Sequence, residues 1–326
     1  MKLFSKRPAG KTVKIFFATD IHGSDRCFRK FINAAQFYGA NILILGGDIT
    51  GKVVVPILKL PNGVYHATVH HQVQEVGESE LPQLYRDIRS NGFYYYMSTP
   101  DELEYLTNHP EAREKMFHQV IRESLHAWFE LAEERLRGTG VQVYVSPGND
   151  DDATVIKALE EGPFVINPDE TVREIEERVW MLSFGWSNRT PWDSPRELDD
   201  GEIARRLELL APQIPDFEQA VFNIHVPPFN TPLDRAPRLT ADLKPIVEAG
   251  EVQMASVGSS AVRDCILKYQ PLLGLHGHIH ESAGITKLGR TTSINPGSEY
   301  SDGTLKGVLV NIDTSKGSLM RQLIAG

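Results

Sequence analysis

Short apolar runs place the strongest constraint on this chain. Each is about five to seven residues long, most are rich in Val, Ile and Leu, and nearly all stop at small or polar residues: Val13 to Thr19, Asn41 to Gly47, Gln142 to Ser146, Val179 to Phe184, Ala220 to Ile224 and Pro271 to Leu275. Runs of that length and β-branched content predict buried strands. Between them the apolar residues follow a helical period. Cys27 to Tyr38 places Phe28, Phe31, Ile32 and Ala35 on one face, and Leu198 to Leu210 and Ser260 to Tyr269 repeat the pattern. Strands alternating with helices predict an α/β layered fold. With 41% apolar and 24% charged residues, 326 residues can bury a sizeable core. Gly and Pro are spread through the connections and no repeat is evident, so 1–326 reads as a single domain.

The segment from about Leu58 to Gly140 breaks the alternation, because connections between core strands are usually only a few residues long. We read 58–140 as an insertion that folds back as a cap, with a surface for self-association, and hence a homo-oligomer, as the alternative. Val64 to Val76 alternates loosely and predicts a hairpin. His66, His70 and His71 then fall on exposed strand positions, two on one face and one on the other, which argues against a shared metal. Glu111 to Arg137 sets Phe117, Val120, Ile121, Leu125, Trp128, Phe129, Ala132 and Leu136 at helical spacing, predicting a helix packed on the main body.

Charge and cysteine content exclude several roles. A formal charge of −9 argues against a surface that coats nucleic acid. Cys27 and Cys265 are too few for a disulfide framework and lack metal-knuckle spacing, so they read as buried free thiols. The start, MKLFSKRPAGKTVK, is basic but has no apolar stretch, and no later apolar run approaches about 18 residues. The expectation is a cytoplasmic protein with no membrane partner.

The strand ends carry the chemistry. In order they are Thr19-Asp20-Ile21-His22-Gly23, Gly46-Gly47-Asp48, Pro147-Gly148-Asn149-Asp150-Asp151, Asn223-Ile224-His225 and Leu275-His276-Gly277-His278-Ile279-His280. Ligands in open α/β sheets gather beyond the carboxyl ends of strands, so residues roughly 260 positions apart can meet at one site. Aspartate oxygens, an amide oxygen and imidazole nitrogens make a mixed donor set suited to manganese, iron, nickel, cobalt or zinc. Each piece alone occurs by chance. Together they would bury carboxylates and imidazoles around one point, which is costly without a cation, and the glycines beside Asp48, Asn149 and His278 allow close backbone approach.

The order Asp-x-His, Gly-Asp, Gly-Asn, His, Gly-His-x-His resembles the calcineurin-like metallophosphoesterase superfamily, over about Val13 to Ile57 and from Gln142 to the C-terminus. The resemblance implies a two-sheet β-sandwich flanked by helices, a four-layer α-β-β-α arrangement. It implies that Asp20, His22 and His280 hold one divalent metal, that Asn149, His225 and His278 hold a second, and that Asp48 bridges them. Asn295-Pro296-Gly297-Ser298 is similar to the turn that closes the sheet in relatives. Relatives with strong catalysis read Gly-Asn-His-Asp, the histidine giving a proton to the leaving group. Here Asp150 replaces that histidine and Asp151 matches the aspartate, which resembles a smaller bacterial and archaeal branch and weakens the expectation of phosphomonoesterase activity. Asn149 and Asp150 are the candidate catalytic residues, and His276 a candidate support.

Two cations roughly 3.5 to 4 Å apart can share a hydroxide and stabilise both attacking and leaving oxygens in phosphoester hydrolysis. The expected substrate is a phosphodiester or small phosphomonoester. A non-catalytic interaction protein of this fold would show missing ligands, and none is missing. A polymer-directed nuclease would show a basic groove or tract, for which the acidic balance leaves little room.

Overall fold

The computed structural model describes residues 12–315 and 318–326; the basic N-terminal stretch 1–11 lies outside the described residues. Two sheets dominate. The first runs in the order Ser318–Ala325, Lys306–Asp313, Thr12–Ala18, Ile42–Leu45, Gln142–Val145. Its last three strands are parallel and the C-terminal pair is antiparallel. The second runs Gly284–Leu288, Thr291–Asn295, Leu273–Leu275, Ala220–Ile224, Val179–Phe184, Thr171–Glu176, with the middle four parallel.

Side-chain alternation explains why the runs read as apolar throughout. Val13, Ile15 and Phe17 pack with Ile42, Ile44, Val221, Leu273 and Ile294 between the sheets. Phe16 and Ala18, one residue out of phase, meet the outer helices. Strands covered on both faces need no polar side. Helices Asp25–Tyr38, Pro110–Leu136 and Ala153–Glu161 cover the first sheet, and Asp200–Leu210 and Ser260–Tyr269 cover the second. The result is a mixed α/β sandwich in four layers, α-β-β-α. Cys27 and Cys265 are buried free thiols within the helical layers.

Residues 46–141 lie between two strands that pair directly with each other. Part of this segment builds a separate four-stranded sheet, Gln72–Val76, Tyr65–Val69, Val54–Lys59, Tyr94–Ser98, with helix Leu81–Ser90 and an apolar cluster of its own. The predicted hairpin forms, but His70 and His71 are its turn and not strand positions: both have left-handed φ, 49° and 63°. A two-residue hairpin turn of type I′ demands that conformation at both positions whatever the residue type. Helix Pro110–Leu136 belongs to the main body. Trp128 stacks on Phe28 with ring centroids 4.5 Å apart and donates its indole N–H to Asp25 at 3.0 Å.

Candidate metal centre

The parallel strands of both sheets end at one edge, and the loops that follow them bring the predicted ligands together. Asp20, His22 and His280 form one donor group and Asp48, His225 and His278 another, with donor atoms within 4.8 Å of one another in each. The Asn149 side chain joins the second group, its Oδ1 3.1 Å from His225 Nε2. Asp48 lies between the groups: its Oδ2 is 3.4 Å from His225 Nε2 and 3.9 Å from His22 Nε2.

Several of the ligands sit on strained backbone. Asp20, His22, Asp48 and His278 all adopt positive φ, between 38° and 66°. Non-glycine residues hold such angles only when their surroundings over-determine them. The surroundings do. Asp20 N–H donates to Gly47 O at 2.9 Å and His22 N–H to Asp48 O at 3.0 Å, while His278 N–H donates to the Asp20 carboxylate at 3.1 Å. Ser298 Oγ donates to the Asp20 carbonyl at 2.6 Å, and Asn295 Nδ2 donates to Ile279 O at 2.9 Å. The turn at Asn295-Pro296-Gly297-Ser298 thus pins the first and last loops together. Gly47 and Gly148 are required by space, since a Cβ on either would collide with the His225 ring or the Asp48 carboxylate.

The donor atoms face one another in a way that calls for a positive charge. His225 Nδ1 lies 3.0 Å from the Gly46 carbonyl, which can only accept, so Nδ1 carries the proton and Nε2 points its lone pair at Asn149 Oδ1. His22 Nε2 and His280 Nε2 also meet, at 3.1 Å. Such lone pairs are reconciled by a proton or by a cation. The charges agree. Burial disfavours a protonated His225, yet Asp48 and Asp20 overcome it and hold this imidazole up to about 10. Burial would raise Asp48, but His225, His22 and His278 drive it well below the carboxylate range. His278 is pushed down to about 4 by burial, and its neutral ring is the form that ligates a metal. The residues therefore fit divalent cations of the mixed oxygen and nitrogen class.

Around this centre Asp151 is fully buried and accepts from the N–H groups of Ile49 (3.0 Å), Thr50 (3.1 Å) and Gly148 (2.8 Å) and from the Thr50 hydroxyl. Burial pushes its carboxyl up to about 6 even so. It ties the Asp48 loop to the Asn149 loop. Asp150 stands at the rim. It accepts from Lys52 Nζ at 2.6 Å, Ser194 Oγ at 2.8 Å and Asn149 Nδ2 at 3.1 Å. Its 3.9 Å separation from His22 Nδ1 is beyond a direct hydrogen bond. Asp152 caps helix Ala153–Glu161. His276 Nδ1 donates to the Ile224 carbonyl at 2.8 Å, steadying the strand end that carries His225.

Four neighbours escaped the sequence reading: Lys52, Ser194, Arg196 and Tyr300. Arg196 is buried, donates to Gly148 O at 3.1 Å and pairs with Asp169 at 2.5 Å, while its own N–H donates to Asn149 O at 3.0 Å. The Tyr300 ring lies 4.7 Å from that of His22 and 6.0 Å from that of His280. All four sit in connections, singly, with no spacing signature to betray them.

No family model matches the chain. It is 31% identical over 158 residues to an uncharacterized protein of Methanocaldococcus jannaschii, a match spanning 48% of this chain and 64% of the relative, less than two thirds of its length. Among solved structures, one crystal structure superposes with a TM-score of 0.58 at 16% identity, covering 96% of this chain and 99% of its own. The protein TT1561 of Thermus thermophilus superposes with a TM-score of 0.52 at 14% identity, again over 96% and 99%. At these identities the likeness is one of fold.

Proposed function

We propose that this chain is a member of the calcineurin-like metallophosphoesterase superfamily and hydrolyses phosphodiesters or small phosphomonoesters with two divalent cations. The observation that carries this reading is the meeting of two largely buried donor groups at Asp48. Asp20, His22 and His280 would hold one cation, Asn149, His225 and His278 the other, and Asp48 both. Such ions, when bound, supply charge for the phosphoryl oxygens and lower the pKa of water.

The chain's own residues set the geometry for that chemistry. The Gly46 carbonyl fixes the His225 tautomer, and Asp151 and Arg196 hold the Asp48 and Asn149 loops at their working distance. One amide hydrogen of Asn149 goes to Asp150, which leaves the second for a phosphoryl oxygen. Asp150 accepts hydrogen bonds from Lys52, Ser194 and Asn149, and we assign it no role as proton donor to the leaving group. The small sheet borders the site, Tyr94 Oη accepting from Gly51 N at 3.0 Å, and we assign it the role of limiting access to bulky substrates.

The test is a panel of mono- and diesters assayed on chelated protein with manganese, iron, nickel, cobalt or zinc restored singly. Hydrolysis that returns with a cation supports the reading. A folded, metal-loaded protein that cleaves no phosphoester would instead mark the site as a binding module.

A further inference from the structure

The donor groups account for the inner wall of the site but not for its rim, where an ammonium is held in place. The backbone leading to Lys52 is anchored: Asp151 accepts from Ile49 N, Thr50 N and Thr50 Oγ1, and Gly51 N donates to Tyr94 Oη. The Lys52 side chain is nevertheless 60% exposed, its Nζ lying 2.6 Å from Asp150 Oδ2. Asp150 is itself fixed by Ser194 and Asn149. A fixed base, a solvated stem and a directed tip are unlike a surface lysine paired by chance. The ammonium has three N–H donors and Asp150 takes one. Arg196, on the loop that also carries Ser194, is buried and committed to Asp169, Gly148 O and the Trp186 ring.

Resting on the phosphoester reading above, we propose that Lys52 engages a non-bridging oxygen of the substrate's phosphoryl group, and that Asp150 is its positioning residue. Asp150 then has a purpose other than proton transfer. Its carboxylate aims a cation across the mouth of the centre, on the side of His22 and Tyr300. Asp150 Oδ2, which holds the ammonium, lies 3.9 Å from His22 Nδ1, and the His22 ring lies 4.7 Å from that of Tyr300. A lysine acts here as a point charge with rotatable donors, suited to following a phosphate as it enters.

The experiment measures inorganic phosphate binding by calorimetry on metal-loaded wild type, Lys52→Met, Lys52→Arg and Asp150→Asn, with metal content determined for each and KM and kcat taken on one diester. Losing a charge-assisted contact at a partly exposed site predicts phosphate binding about tenfold weaker in Lys52→Met. KM should rise by a similar factor with kcat little changed, as for a contact made equally in ground and transition states. Lys52→Arg should retain most of the affinity and Asp150→Asn lose part of it. Phosphate binding should also weaken less steeply with salt in Lys52→Met than in wild type. Equal phosphate affinity in Lys52→Met and an active wild type overturns the assignment while leaving the phosphoesterase reading intact. Loss of metal from Lys52→Met also overturns it, since Lys52 would then support the centre. A metal-loaded wild type that neither binds phosphate nor cleaves esters removes both readings together.

Discussion

At the scale of single residues, Asp48 faces both donor groups, with Oδ2 3.4 Å from His225 Nε2 and 3.9 Å from His22 Nε2. Asp48→Ala should therefore lower metal content at both sites, whereas His22→Ala should empty mainly one. Elemental analysis of the purified variants decides this, and two full equivalents in Asp48→Ala would remove the bridging assignment. Asp150 predicts a kinetic signature. A positioned general acid is worth about a hundred- to ten-thousand-fold, and Asp150, an acceptor for Lys52, Ser194 and Asn149, does not supply it. Rates across a graded series of aryl and alkyl diesters should fall steeply with leaving-group pKa, and Asp150→His should partly flatten the slope. A shallow slope in wild type would show that another group gives the proton. The ligand positions were legible because each is the first polar residue after an apolar run, or lies within a few residues of it, a pattern that physics imposes on strand ends in α/β sheets. Lys52, Ser194, Arg196 and Tyr300 were not legible. Their roles come from loops meeting in space, and Lys, Ser, Arg and Tyr in loops are ordinary.

At the scale of elements, the loop bearing Arg196 holds the Asn149 turn from outside. Its pairing with Asp169 is buried on both sides, and burial keeps the Asp169 carboxyl above its ordinary range despite the guanidinium. The pair thus contributes position more than stability. Removing one partner is another matter. Arg196→Met leaves Asp169 buried and unpaired and should cost about 3–5 kcal/mol in denaturant unfolding, with weaker metal retention. A change under about 1 kcal/mol would show that the loop is held elsewhere. The two halves of segment 58–140 predict opposite outcomes. Trp128→Ala, in the helix covering the first sheet, should destabilise by about 3–5 kcal/mol through the cavity left against Phe28. Replacing the four-stranded sheet with a short Gly/Ser connection should spare the main core and raise activity on bulky diesters relative to small ones; an unchanged size preference in the folded, metallated variant counts against a cap. Periodicity exposed the Pro110–Leu136 helix because its buried face is long and aromatic. It passed over Thr171–Glu176 and Ser318–Ala325, edge strands whose apolar residues do not alternate with polar ones along the strand.

At the scale of the whole molecule, the fold is a device for converging loops. Two sheets packed through Val13, Ile15, Ile44, Val221 and Leu273 bring the carboxyl ends of their parallel strands to one edge. Ligands from positions 20 to 280 can meet there because each stands within a few residues of a strand end. The layered α/β architecture followed from alternating apolar periods, while the number of strands and their antiparallel edges did not, because edge pairing depends on neighbours and not on a strand's own pattern. No helix among the described residues is long and apolar enough to cross a membrane. The central claim is that hydrolysis depends on two cations held by these converged loops. It is tested most directly by stripping the protein with chelator, confirming that it remains folded, and following diester hydrolysis as metal is returned in known equivalents. Activity should be absent without metal and reach a plateau at two equivalents per chain. Undiminished hydrolysis by the fully stripped, folded protein would contradict it.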